Sequence, residues 1–135
     1  MTNAQPSASP HPDPAGGTSR WPVELRLKRA ERILEIAFDD GSRFQLPAEY
    51  LRVESPSAEV QGHGPGQKTL VHGRARVGII GLEPVGNYAV RITFDDLHDT
   101  GIYSWSYLFQ LGVEHAKRWR AYVEALAANG LSRES

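Results

Sequence analysis

The chain of 135 residues contains no cysteine. That excludes a disulfide framework and every thiolate metal site. It also has no excess of either charge: 15 Lys and Arg against 16 Asp and Glu leave a formal net charge of -1. Such a balance offers no basic surface for nucleic acid and none for an anionic membrane. No apolar run approaches the ~20 residues of a membrane-spanning helix. Residues 1–20 lack the apolar middle region of a secretory signal, so the expected location is cytoplasmic. There is no G-x-S-x-G turn, and no Ser-His-Asp order can be argued from spacing. No complete catalytic set is present, and the expectation is a protein that is not an enzyme, with no catalytic residues.

What is there fits one small domain with one core. Residues 1–20 carry Pro6, Pro10, Pro12, Pro14, Gly16 and Gly17 and no large apolar side chain after Met1. A segment of that composition cannot offset its own ordering entropy. It is expected to be a disordered tail before a domain over 21–131, with 132–135 a disordered C-terminus. From Trp21 the period is that of strands. Val23, Leu25 and Leu27 alternate with polar residues, and so do Leu34, Ile36 and Phe38. Asp39-Asp40-Gly41-Ser42 is a hairpin signal, and Arg43 to Leu46 returns as a strand. Residues 47–51 read as a helical turn. Strands are expected at 69–71 and 77–85, with Gly86-Asn87 as a second turn and Tyr88, Val90, Ile92 and Phe94 alternating after it.

The C-terminal part has helical spacing. Ser104 suits an N-cap, and Tyr103 with Leu108 suits a hydrophobic staple. Gly112 is expected to kink or interrupt the helix. Val113, Ala116, Trp119, Val123 and Leu126 form a stripe expected to face the sheet, Glu114 and Arg118 pair at i,i+4, and Gly130 stands at a C′ position. The fold class expected is α+β, a small two-layer domain of antiparallel β-hairpins with a C-terminal helix packed on the sheet. A weak internal repeat runs through it. Leu34-x-Ile36-x-Phe38-Asp39-Asp40 matches Val90-x-Ile92-x-Phe94-Asp95-Asp96, and Tyr50-Leu51 matches Tyr107-Leu108 with one extra residue of spacing. Either a supersecondary unit is duplicated or a common hairpin pattern occurs twice.

Three stretches carry candidate chemistry. The run from Gly62 to Thr69 approaches a phosphate-binding loop. However, Gln67 replaces a required glycine, Pro65 removes an N–H, and the residues after Thr69 read as strand. It is a connector on this reading. Asp95-Asp96-Leu97-His98-Asp99 is the densest polar cluster. His98, Asp96 and Asp99, with His63 or His72 from elsewhere, form a candidate site for iron or another divalent cation. The competing reading is a turn rich in Asp for backbone reasons. Tyr103, Trp105, Tyr107 and Phe109 form an aromatic run that either packs in the core or presents a partner-binding surface.

Leu51-Arg52-Val53-Glu54-Ser55-Pro56-Ser57-Ala58-Glu59-Val60-Gln61-Gly62-His63-Gly64-Pro65, Glu83-Pro84-Val85-Gly86-Asn87-Tyr88 and His98-Asp99-Thr100-Gly101-Ile102-Tyr103-Ser104-Trp105 resemble the gamma-butyrobetaine hydroxylase-like N-terminal domain family, over about residues 21–130. The resemblance is strongest to its stand-alone bacterial members. It implies a compact two-layer α+β domain. In the hydroxylase itself the domain precedes an iron and 2-oxoglutarate dioxygenase domain and binds a structural zinc. The matching positions here are Ser55, Ser57, Val60 and His98. Hydroxyls and a valine cannot stand in for thiolates, so the family zinc site is not expected. Related domains are fused to scaffold proteins of iron–sulfur cluster assembly.

The resemblance therefore implies an accessory domain whose partner is an iron-dependent or iron–sulfur assembly protein. The expected contact surface comprises Gly62, His63, Gly64, Gly66, His98, Tyr103 and Trp105. The rival expectation is a metal-binding protein built on His98 and the nearby carboxylates.

Overall fold

Residues 21–57, 70–96 and 101–134 are described by the computed structural model. Strands β1 (Pro22–Lys28), β2 (Ile33–Phe38) and β3 (Arg43–Pro47) form an antiparallel sheet in that order, and helix α1 (Ala48–Val53) follows. Strands β4 (Ile79–Val85), β5 (Ala89–Phe94) and β6 (Gly101–Ser104) form a second antiparallel sheet in the same order. Helices α2 (Trp105–Val113) and α3 (His115–Ala128) follow it. The α+β class and the hairpin architecture are as the periodicity predicts, with the strands divided between two sheets.

The repeat is real in three dimensions. Each sheet carries a register irregularity near the start of its first strand, between Pro22 and Glu24 in one and between Ile79 and Gly81 in the other. The bonds that tie each unit together also recur. Asp39 N donates to Trp21 O and Asp95 N to Gly78 O. Ala48 N donates to Arg32 O and Trp105 N to Tyr88 O. The cross-strand pair Arg26↔Glu35 has Glu83↔Arg91 at the same place, with the charges exchanged.

The two units meet reciprocally. Tyr50 Oη of α1 donates to Leu111 O of α2 at 2.7 Å, and Tyr107 Oη of α2 donates to Glu54 O at 2.6 Å. Contacts that exchange in this way mark an isologous, two-fold-like interface. One core serves both halves. Leu34, Ile36, Phe38, Leu46 and Leu51 of the first unit share a cluster with Val90, Ile92, Phe94, Tyr103, Leu108 and Leu111 of the second. Each such side chain contributes roughly 1.5–3 kcal/mol by leaving water.

Local signals at the helix ends and the first hairpin hold. Gly41 takes φ +92 in the turn between β2 and β3, where Gly41 N donates to Phe38 O. Ser104 Oγ accepts from Tyr107 N at 3.1 Å, as an N-cap should. At the end of α3, Gly130 N donates to Ala127 O and Leu131 N to Leu126 O. With Leu131 packed in the same cluster as Leu126, this is a Schellman cap.

Five expectations need correction. The stripe on the last helix is turned. Val113 and Val123 are 64% and 42% exposed, while Tyr122 and Leu126 are buried and Trp119 is half-buried. Tyr122 decides the rotation, because its ring fills a second cluster with Val53, Val71 and Leu126 and its hydroxyl donates to Val71 O. Leu70 and Val71 join no strand, and Val71 contributes as a packed side chain. Tyr88 lies in the turn after β4 rather than in β5, and it is exposed. Val23 faces solvent because the register irregularity in β1 breaks the alternation there.

Gly112 is not a kink. A Cβ there would lie 2.4 Å from Phe44 Cγ, so the glycine admits the ring, and the break between α2 and α3 comes at Glu114.

Candidate functional site

The repeat assigns each residue a mate, and the mates differ most at one place. In the first unit Phe38 and Phe44 pack edge to face with Phe109 of α2, at centroid distances of 5.2 and 5.5 Å, and Phe44 lies against Gly112. The mates of Phe38, Phe44, Phe109 and Gly112 are Phe94, Gly101, Arg52 and Ser55. The second end of the interface therefore lacks two of its three aromatic rings. Gly101 is held small there, because a Cβ would lie 2.7 Å from Tyr103 Cε1 and 3.4 Å from Ser55 Oγ.

The missing rings are replaced by a polar cluster. Arg52 Nε donates to Asp96 Oδ2 at 2.8 Å, and Arg74 Nε lies 2.8 Å from the same oxygen. Asp96 is the mate of Asp40, which accepts from Ser42 N in its turn at 2.9 Å. Ser55 is fully buried and shares a hydroxyl–hydroxyl bond of 3.2 Å with Ser57. Tyr103 is fully buried beneath them, its hydroxyl donating to Leu51 O, and burial pushes its phenol well above the usual range. The neighbouring carboxylates are already paired. Glu49 takes both arms of Arg133 at 2.8 Å each, and Glu54 accepts from Arg118 at 2.9 Å.

The expected site residues distribute as follows. Gly62, His63, Gly64, Gly66, His98 and Asp99 lie outside the described residues, as do Val60 and Leu97. Asp96 is described, and it faces two guanidinium groups. Tyr103 is a core residue rather than a surface one, because its ring covers the interior of β6 and the polar cluster sits above it. Trp105 is half-buried against the core, and its Nε1 donates to Asn87 O at 3.0 Å. His115 is neither free nor wholly exposed. It stacks on Tyr50 at 4.4 Å, and burial holds its imidazole below the ordinary value. Among the described residues no three His, Asp or Glu side chains gather as a metal would require. No helix there is long and apolar enough to cross a membrane. Sequence reasoning missed Arg52 and Arg74. Arg52 was discoverable, since the repeat places it where the other copy has Phe109, and an arginine at an aromatic position is a departure that packing does not ask for. Arg74 lies outside the repeat and has no such signal.

Two fused β-β-β-α units, one end of their interface closed by aromatics and the other by charges, define the class of domain. The chain belongs to the gamma-butyrobetaine hydroxylase-like N-terminal family, whose match covers residues 25–109. Two solved relatives are NMR solution structures. One is 45% identical with a TM-score of 0.75, covering 94% of this chain and 91% of its own. The other is 43% identical with a TM-score of 0.75, covering 85% and 90%. A third is the crystal structure of a DUF971-family protein of unknown function from Acidithiobacillus ferrooxidans ATCC 23270. It is 37% identical with a TM-score of 0.58, covering 67% of this chain and 91% of its own. No curated protein matches the chain significantly.

Proposed function

We propose that the protein is a non-catalytic accessory domain that docks onto another protein through its polar end. One observation carries this reading. The segments that flank the two candidate loops meet there, with Arg52 and Ser55 on one side and Asp96 and Gly101 on the other. Residues placed on loops held by a rigid scaffold are the usual carriers of recognition. A packed fold also has no need to replace Phe and Phe by Gly and Arg at one of two equivalent ends. The partner class is an iron-dependent or iron–sulfur assembly protein, which is the context that the family resemblance supplies.

The test is capture from the native cell with the full chain as bait, followed by cross-link mapping and metal analysis of the captured complex. Cross-links that radiate from Arg74 and the residues beside Ser57, with metal carried by the partner, support the reading. A stable partner mapped elsewhere on the domain overturns the surface. Turnover of a small molecule by the purified chain overturns the accessory role. Stoichiometric metal on the isolated chain would favour the metal-binding rival instead.

A further inference from the structure

Arg52 Nη1 and Arg74 Nε are both enclosed and have no hydrogen-bond acceptor among the described residues. Arg74 Nε is close to Asp96 Oδ2, at 2.8 Å, but it is not aligned to donate to that oxygen. The Arg52 side chain is only 9% exposed. A buried donor without an acceptor is uncommon and destabilising, and on a guanidinium more so. Here two occur on two cations that converge on a single carboxylate oxygen. Among the described residues, the neighbouring carboxylates Glu49 and Glu54 are held by Arg133 and Arg118. Arg74 Nη1 is turned to the carbonyls of His72 and Gly73, at 3.4 Å each. The aromatic end shows what the position looks like when it is only packed.

We propose that Arg52 and Arg74 together receive a small oxyanion, a carboxylate or a phosphate, with Asp96 as the internal counter-ion that keeps the two guanidiniums together. Planar guanidinium forks match such oxygens, and the bonds are charge-assisted. Arg74, whose side chain is 37% exposed, forms the entry side and Arg52 the floor. The proposal concerns the isolated chain, so it stands or falls apart from the docking reading. The anion's source is either a free phosphate or carboxylate or an acidic side chain of a docked protein.

The test is a titration of the full chain with inorganic phosphate and, separately, with acetate at constant ionic strength. Chloride serves as control, and the arginine Nε–Hε resonances are followed by NMR. Saturable shifts of Arg52 and Arg74 are expected, absent with chloride. Arg74→Ala should abolish the response of Arg52 while the amide spectrum keeps its dispersion. Response to acetate as well as phosphate points to a carboxylate-sized site that an acidic side chain can enter, and response to phosphate alone points to a phosphate group. No saturable shift with either anion overturns the proposal. So do equal shifts at the exposed Arg26 and Arg91, which would mean screening alone. If Arg74→Ala fails to fold, the wild-type titration still decides.

Discussion

At one end of the domain Phe38, Phe44 and Phe109 pack edge to face; at the related end the same positions hold Phe94, Gly101 and Arg52. The scaffold around them is nearly constant. Both ends have the register irregularity, the paired central strand, the helix entered from the third strand and the tyrosine that crosses to the other unit. Stability alone would favour rings at both ends, since they bury large areas and gain further from edge-to-face contact. A buried arginine salt bridge in the same place is at best neutral for stability. The polar end is therefore where something other than packing has shaped the sequence.

The comparison can be broken most forcefully at its apolar side. Phe38→Ala should lose about 3–5 kcal/mol in urea unfolding, the range for a large buried ring. A loss under about 1 kcal/mol would mean that the aromatic end does not hold the units together. The third helix belongs to neither unit, and it offers the next contrast. Leu126→Ala should cost about 2–4 kcal/mol, whereas Val123→Ala should stay within about 0.5 kcal/mol, as for an exposed residue. Equal effects at the two positions would restore the stripe that the sequence alone suggested.

The crossing tyrosines sharpen the two-fold relation. Tyr50→Phe and Tyr107→Phe each remove a hydroxyl donor that reaches a carbonyl of the other unit, and each should cost about 1–2 kcal/mol, with Tyr50 the larger because it is fully buried. Burial, with the Glu54 carboxylate beside it, raises the Tyr107 phenol to about 12. The neutral form is the one that the fold favours. Its contribution is complete below the unfolded value of about 10 and is lost as pH rises from there through about 12. Alkaline titration of the unfolding midpoint should show this decline, and Tyr107→Phe should make it shallower. A midpoint indifferent to pH over that window would place the phenol in water. The smallest effect is expected at the exchanged surface pair. Arg91→Ala should cost less than about 1 kcal/mol, since the Arg91–Glu83 bridge at 2.9 Å is largely exposed.

Much of the fold was legible because local chemistry and global packing agree. Asp39-Asp40-Gly41-Ser42 encodes its own turn, Ser104 its own cap, and Gly130 its own stop. The repeated Phe-Asp-Asp pattern marked the central strand of each sheet. The rotation of α3 was not legible, because Val113, Ala116 and Val123 have the spacing of a buried face. Only the distant partner Val71 shows that Tyr122 takes that role. The expected function rested on residues such as His98 and Gly64, which lie outside the described residues. The polar end needs Arg52, Arg74 and Asp96 to meet across long sequence separations, and no local pattern predicts that meeting.

The most direct test that the two ends have diverged in function is a paired charge reversal in the full chain, Arg74→Glu at the polar end and Arg43→Glu beside Phe44 at the aromatic end. Both variants are compared with wild type in partner capture from the native cell. Capture should be lost with Arg74→Glu and kept with Arg43→Glu, with both variants folded by circular dichroism. Retention with Arg74→Glu, or loss with both, would contradict the assignment of the polar end as the working surface.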